Sequence, residues 1–600
     1  MKLVTIDFET YFDREYSLSK MTTEAYIRDP RFEVIGVGVK VENHPTDWYS
    51  GGDVGRFLQS LDYSQRAILC HNTAFDGAIL AWRYGIRPRF WLDTLSMARA
   101  VCGPAVGGSL GKLAEYYGLG VKGTDTQKAI GKRRADFTTQ ELARYGEYCV
   151  NDVELTYALW KRLKAGFPVS ELLVIDQVLR MYTEPCVGID VPLLQAHLAE
   201  IQKRKAAHMG SLGIAVGDLM SNAKFAQVLQ QLGVDPPTKT SPATGNTAWA
   251  FAKTDPGMLE LLEHSNFRVQ VVTAARMGVR STLEETRTQR LLEAAARGPL
   301  PVMLKYYAAH TGRLGGGDGL NLQNLPSRGG NNVIRRALLA PPGHVFIACD
   351  LSQIEARILA WLAGQEDLLQ AFADRRDVYC EFASEVYGRT ITKADATERA
   401  VGKACTLGLG YGMGAEKFQR VLEIGQAGVT VKLDMGEVER IVRIYRQKNW
   451  KIPQLWRRCD AALLTMTRGG WGDLCSSVSY DGTGIKLPNG LYIRYPELRT
   501  TVAGFEYQGR REFVKIYGPK MVENCVQALA ALLIREQMVD IGVKFRVVLQ
   551  VHDEIVVAVP KDQAEGARAW IEQCMVTPPT WASGLPVACE SGVAVNYGDT

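Results

Sequence analysis

Asp7 and Glu9 stand two residues apart in an alternating apolar run, so on a strand both side chains leave the same face. Asn72 and Asp76 are four apart at the start of a helical pattern, and Tyr148 and Asp152 are four apart in a later one, which puts each pair on one helix face. Three elements can thus aim four carboxylates and one phenol at a single pocket. Crowded carboxylates repel unless cations lie between them, and Mg²⁺ prefers oxygen ligands. Two such ions close together clamp the attacking water and the leaving oxygen of a phosphodiester. Taken singly, each pair has a plainer reading: D-x-E at a strand end is usually a solvated edge, and a Tyr–Asp pair is usually a helix surface.

A second set lies in the other half of the chain. Asp350 ends an apolar strand pattern, Val345–Cys349, and Asp553 falls in a tight turn 203 residues later. Between them Arg399, Lys403, Leu407 and Tyr411 recur every fourth residue, a stripe that drifts about 40° per step around a helix. Cations at that spacing, with an aromatic at the far end, suit a triphosphate along the helix and a base or sugar near Tyr411. Plain readings exist here too: Asp350 as cap of a helix from Gln353 onward, the turn as a polar β-turn, the stripe as a solvated face. Gly408, Gly410, Gly412 and Gly414 alternate with other residues, a density that signals close backbone approach or movement.

The elements that must position these residues read as follows. Strands span Leu3–Phe8, Glu33–Val41 and Ala67–Cys70, with helices at Ala74–Tyr84 and Leu142–Leu163, one α/β unit of about 165 residues. Val169–Leu304 is mainly helical, with softer stretches at Asp235–Asn246 and Gly298–Pro301. Thr311–Pro326, TGRLGGGDGLNLQNLP, cannot be a regular helix. A helix follows Asp350 over Gln353–Leu362, Asp377–Gln527 is again mostly helical, and Phe545–Val551 with Ile555–Val559 forms a hairpin around His552-Asp553-Glu554. Six hundred residues exceed one core, and the prior is about four folding units. With 46% hydrophobic and 22% charged residues, extensive disorder, collagen-like and coiled-coil classes are excluded.

The net charge of +5 is a weak hint of a polyanionic partner. The first 165 residues carry 22 basic and 20 acidic side chains and the rest 48 and 45, so a nucleic-acid surface must be a local groove. Twelve scattered cysteines without a C-x-x-C pair argue against a zinc ribbon and for reduced thiols. No apolar run has the ~18 residues of a membrane span, and the acids in MKLVTIDFET rule out a signal-peptide core. The expectation is a cytoplasmic protein without a membrane partner.

In order along residues 1–165, IDFET, HNTAFD and YCVND resemble the three motifs of proofreading 3′→5′ exonucleases. DLSQIEARILAWLAG (Asp350–Gly364), RAVGKACTLGLGYGMG (Arg399–Gly414) and LQVHDEIV (Leu549–Val556) resemble motifs A, B and C of family A DNA polymerases. TGRLGGGDGLNLQNLP is similar to the family segment that tracks the primer–template minor groove, and ENCVQALA (Glu523–Ala530) looks like the compact phage-type branch. The resemblance implies an α/β multidomain chain: a ribonuclease H-like exonuclease domain, 1–165, then a right-hand polymerase domain, 166–600. The thumb would cover about 169–304, and the palm and fingers about 305–600.

The resemblance also distributes roles. Asp7, Glu9, Asp76 and Asp152 would hold two Mg²⁺ in the exonuclease site, with Tyr148 orienting the attacking water. Asp350 and Asp553 would hold two in the polymerase site, with Glu554 supportive and Mn²⁺ able to substitute. Lys403 and Arg399 would contact the incoming triphosphate, Lys403 also assisting catalysis. Glu355 would crowd the ribose 2′ position, and Gln353, Leu407 and Tyr411 would complete the nucleotide pocket. Arg313, Asn321, Gln323 and Asn324 would contact the duplex minor groove, and Gln527 and His552 the primer end.

Two departures stand out. Leu351 occupies a position often Tyr, and Leu407 one usually Phe or Tyr, which implies resistance to dideoxynucleotides and slower incorporation. Gln527 follows Asn524 by three residues, one fewer than in the bacterial pattern. An exonuclease motif within ten residues of Met1 implies no preceding 5′ nuclease and hence a phage replicative enzyme. The expected partners are primer–template DNA, dNTPs and a helicase–primase or processivity factor, for a monomeric enzyme. A single-subunit RNA polymerase is opposed by Glu355 and by the exonuclease motifs. A retired DNA-binding protein is opposed by the presence of all six metal carboxylates.

Overall fold

The computed structural model describes residues 1–103, 106–123, 125–210, 218–219, 221–240, 247–252, 255–262, 282–325, 332–425 and 429–600, with some positions between 264 and 277. Pro326 and residues 241–246, which the sequence assigns to a minor-groove segment and a soft stretch, lie outside them.

The amino-terminal sheet has five strands in the order Asp47–Ser50, Val34–Val41, Lys2–Thr10, Arg66–Cys70 and Phe90–Asp93. The first three are mutually antiparallel, and the central strand pairs in parallel with Arg66–Cys70. Asp7 and Glu9 lie on that central strand, opposite Gly38 and Gly36. The helix Thr139–Leu163 crosses the sheet there. A Cβ at Gly38 would stand 2.9 Å from Val153 and 3.0 Å from Cys149, so only glycine lets the helix settle this close. A capping box between Thr138 and Glu141 starts that helix three residues before Leu142, where apolar periodicity begins.

The helix Val169–Thr183 packs against both Thr73–Arg83 of the first unit and Gly518–Gly542 of the second. Gly518–Gly542 is buried nearly all round, as befits the central helix of a large unit. Beside it runs a four-stranded antiparallel sheet in the order Arg546–Val551, Glu554–Pro560, His344–Leu351, Cys589–Ala594. One core runs through both units, while Leu219, Phe225, Phe251 and Met258 belong to a separate small one.

Asp377–Gln527 departs from its helical reading. Residues 472–516 form a four-stranded and a three-stranded sheet. Their strands span three to five residues between turns such as Asn489-Gly490, too short for either period to emerge. The four-residue stripe is also interrupted: the helix ends at Gly408, and Tyr411 sits in a 3₁₀ turn, Leu409–Tyr411. No helix among the described residues is long and apolar enough to cross a membrane, and the twelve cysteines are all free thiols.

Candidate active sites

In the first unit the sheet and two helices bring Asp7, Glu9, Asp76, Tyr148 and Asp152 to one place. Asp76 accepts the Phe8 amide at 3.0 Å, which locks its helix to the central strand. Asp93 accepts the amides of Asn72 and Thr73 at 2.8 and 3.2 Å and so fixes where that helix begins. Burial, then the charge of Asp152, pushes the Asp7 carboxyl up to about 7. Burial, then the charge of Asp7, raises Glu9 and Asp76 as well. Burial, then Asp152, raises the Tyr148 phenol, so it stays protonated and able to orient a water.

Three further residues complete this cluster. The Tyr145 hydroxyl donates to Glu9 Oε2 at 2.5 Å, the Cys149 thiol donates to Asp7 Oδ2 at 3.5 Å, and the Lys122 ammonium pairs with Asp152. Tyr145, Cys149 and Asp152 share one helix face at i, i+4 and i+7, a signal present in the sequence. Lys122 arrives on a loop with no periodicity. The donor set fits a hard divalent cation at Asp7 and Glu9, whose carboxylate oxygens lie within 4.8 Å of each other and of the Cys149 thiol, and the buried Asp152 Oδ1 has no hydrogen-bond partner among the described residues.

In the second unit Asp350 and Asp553 come together from the ends of adjacent strands. Asp350 pairs across the sheet with Glu554 on one side and Glu590 on the other, and the Leu351 amide donates to the Asp553 carbonyl at 3.0 Å. Asp350 therefore caps no helix; the cap is Gln353, exposed and in a left-handed conformation with φ 49°. Asp350 presents area to solvent, yet protein atoms crowd around its carboxyl. Desolvation there, then repulsion from Asp553, Glu554 and Glu590, pushes its carboxyl up to about 7. Burial raises the Asp553 carboxyl as well. Glu554 is turned aside: its Oε2 accepts from the Tyr597 hydroxyl at 2.5 Å and from Arg335 at 3.4 Å. Two carboxylates plus substrate oxygens are a sufficient donor set for Mg²⁺.

On the helix Ala396–Gly408, Val401, Ala404 and Cys405 are buried, while Arg399 and Lys403 are half-buried and Leu407 is exposed, so the stripe does face outward. Arg399 donates to Asp377 Oδ2 at 2.9 Å and lies over the Tyr379 ring. Tyr411 packs into the core near Tyr445. Glu355 forms an ion pair with Arg313, which also lies within reach of the Asp553 and Glu523 carboxylates.

The residues expected to touch duplex divide. Arg313, Gln323 and His552 line one crevice with Gln550. Gln323 is 6% exposed and donates inward to the Gln550 carbonyl at 3.3 Å, while Gln550 donates to the His552 carbonyl. In this conformation Gln323 therefore supports His552 rather than reaching outward. Asn321 accepts the Gln323 amide at 3.0 Å, Asn324 is exposed, and Gln527 donates to Glu523 at 3.2 Å. Sequence reasoning missed Gln550 and the buried Arg357, whose guanidinium holds the Ser352 carbonyl at 2.7 Å and the Pro586 carbonyl at 3.1 Å and so fixes the loop after Asp350.

A model of the 3′-5′ exonuclease family matches residues 3–166, and one of DNA polymerase family A matches residues 193–436. The DNA polymerase of Bacillus phage SP02 is 26% identical across the whole of both chains. The thermostable DNA polymerase I of Thermus filiformis is 30% identical over 76% of this chain and 52% of its own, and DNA polymerase I of Pseudomonas aeruginosa 27% over 84% and 53%. The chain thus spans about half the length of those bacterial relatives. Among solved structures, the POL domain of Pol1 from M. smegmatis, in complex with DNA primer-template and dNTP, matches with a TM-score of 0.68 at 18% identity, covering all of this chain and 96% of its own. With a family model matching each of the two units in turn, and with full-length correspondence to a phage polymerase, the chain belongs to DNA polymerase family A and carries a 3′-5′ exonuclease domain ahead of the polymerase part.

Proposed function

We propose that the chain adds deoxynucleotides to a primer 3′ end as a template directs, and removes mispaired ends with its exonuclease. The observation that carries this reading is the meeting of Asp350 and Asp553, 203 residues apart, where Asp350 stands opposite Glu554 and the Leu351 amide binds the Asp553 carbonyl. Held there, two Mg²⁺ supply charge neutralisation for an in-line displacement at the α-phosphate, and Mn²⁺ could replace them. The protein's share is positioning. Lys403 and Arg399 bind the triphosphate, with Arg399 exchanging its bond to Asp377 for phosphate. In this reading Glu355 rejects a ribose 2′-hydroxyl, and Gln353, Leu407 and Tyr411 complete the nucleotide pocket. Arg313, Asn321, Asn324, Gln527 and His552 hold the duplex, with Gln323 behind them. In the exonuclease site Asp7, Glu9, Asp76 and Asp152 hold the metals and Tyr148 the water.

The division of labour follows residues 1–165 for the exonuclease and 166–600 for the polymerase. The primer–template and dNTP in the structural neighbour support the choice of substrates. The full-length match to a phage polymerase supports genome replication in a host cytoplasm, where a monomer would work with a helicase–primase or a processivity factor. A labelled primer–template incubated with Mg²⁺, with and without dNTPs, tests the reading. Extension with dNTPs and shortening without them are expected. Extension with ribonucleotides alone would favour an RNA polymerase, and the absence of both reactions would favour a DNA-binding protein without catalysis.

A further inference from the structure

The cavity beside Asp7, about 780 Å³, has two walls of different origin. Asn72, Phe75 and Arg99 line it from the exonuclease unit, whereas Met303, Lys305 and Asp318 come from beyond residue 300. The second wall is fixed in place. Leu304–Lys305 pairs antiparallel with Gly315–Gly316. Asp318, in a left-handed conformation with φ 52°, accepts the Thr23 and Glu24 amides at 2.5 and 3.0 Å and the Tyr182 hydroxyl at 3.1 Å. Arg290 holds the Gly319 carbonyl. The carboxylate of Asp318 is thereby spent on the exonuclease unit. The Lys305 side chain is exposed, and among the described residues its ammonium has neither a hydrogen bond nor an ion pair. It faces the same space as Arg99 and Lys122.

We propose that Lys305 is a phosphate-binding residue of the exonuclease site, so that the cleft for the primer end is completed by the polymerase part of the chain. The assignment rests on the functional reading above and names the form of DNA the cleft takes. Its volume suits a small ligand, which means unpaired terminal nucleotides rather than duplex. Sites for single strands combine cations along the backbone with an aromatic face for the bases, here Lys305 and Arg99 with Phe75.

The test uses the full-length protein, Mg²⁺ and a labelled single-stranded oligonucleotide over a range of KCl concentrations. Lys305→Ala is expected to raise KM about three- to tenfold with kcat nearly unchanged. The slope of log KM against log salt should flatten by about 0.7, the contribution of one phosphate contact in a single strand. Lys305→Arg should restore both values. An unchanged KM and slope in Lys305→Ala, or a fall in kcat alone, overturns the assignment while leaving the functional reading intact. A wild-type protein that does not degrade the strand at all overturns both.

Discussion

Glu355 meets Arg313 as an ion pair, each side chain about one-third exposed, and so the pocket expected to select the sugar is tied to the residue expected to hold the duplex. A pair this exposed contributes little to stability, but it presets where the Glu355 carboxylate stands. Rejection of a 2′-hydroxyl by a placed side chain is steric exclusion, independent of tighter binding of the right sugar. Glu355→Ala is expected to raise ribonucleotide incorporation at least tenfold, or roughly 1.4 kcal/mol of lost discrimination. Single-nucleotide kinetics with matched dNTP and rNTP measure this, and an unchanged ratio would remove Glu355 from the role. The raised carboxyls make a second residue-scale prediction. Asp7 and Asp350 hold their protons up to about 7 in the folded protein, against 3.8 as the ordinary value. Between those values the folded state binds more protons than the unfolded one, so metal-free stability must fall as pH rises through that window. In EDTA the Tm should be lower at pH 8 than at pH 5.5, and added Mg²⁺ should raise it more at pH 8, because the cation replaces the protons. A metal-free Tm that climbs with pH would contradict this arrangement.

At the scale of elements, the helix Ala396–Gly408, which carries Arg399, Lys403 and Leu407 of the proposed triphosphate stripe, packs on Val378–Tyr387, and Gly402 sets their separation. A Cβ there would lie 2.1 Å from the Tyr379 carbonyl oxygen, a backbone atom that cannot swing away. Gly402→Ala should push the helices apart and destabilise the protein by about 1–3 kcal/mol, as overpacking does. Chemical denaturation should show this together with slower extension; an unaltered midpoint would mean the helices separate freely. Elements of this kind were legible in the sequence where one periodicity held over a long run. Lys2–Thr10, Thr139–Leu163 and the hairpin around His552 all appear within a few residues of their expected bounds. Cys589–Ala594 did not, because CESGVA has weak β-propensity and little alternation, yet it forms the edge strand that places Glu590 beside Asp350. The six carboxylates proposed as metal ligands were singled out by motif order. The contacts of Lys122 with Asp152 and of Arg335 with Glu554 were not, since each joins segments whose encounter only the fold decides.

Across the whole molecule, the two sites share a buried joint. Glu171, on the helix Val169–Thr183, pairs with Arg535 at 3.1 Å, both side chains 2% exposed, and accepts from Tyr306 at 2.6 Å and Asn489 at 2.7 Å. Arg535 also donates to the Gly312 carbonyl at 2.8 Å, one residue before Arg313. The joint thus links the helix that packs on the exonuclease unit to the backbone that carries Arg313, the proposed duplex contact. Removing one partner strands the other charge in the core, so Glu171→Ala should cost about 3–5 kcal/mol. The loss should weaken primer–template binding through Arg313 more than it alters degradation of a single strand, because Asp7, Glu9, Asp76 and Asp152 are fixed by contacts of their own. A shared joint does not make the two reactions one. The two clusters are built around separate sheets, with Asp76 and Asp152 on helices packed against the first, and removing metal ligands abolishes charge stabilisation only where those ligands stand. The double variant Asp7→Ala with Glu9→Ala should therefore lose degradation of a primer by at least about a hundredfold while extending it at near the wild-type rate. Time courses on one labelled primer–template, with and without dNTPs, read both reactions in the same tube. If the double variant loses extension as well, the two clusters do not act as separate sites.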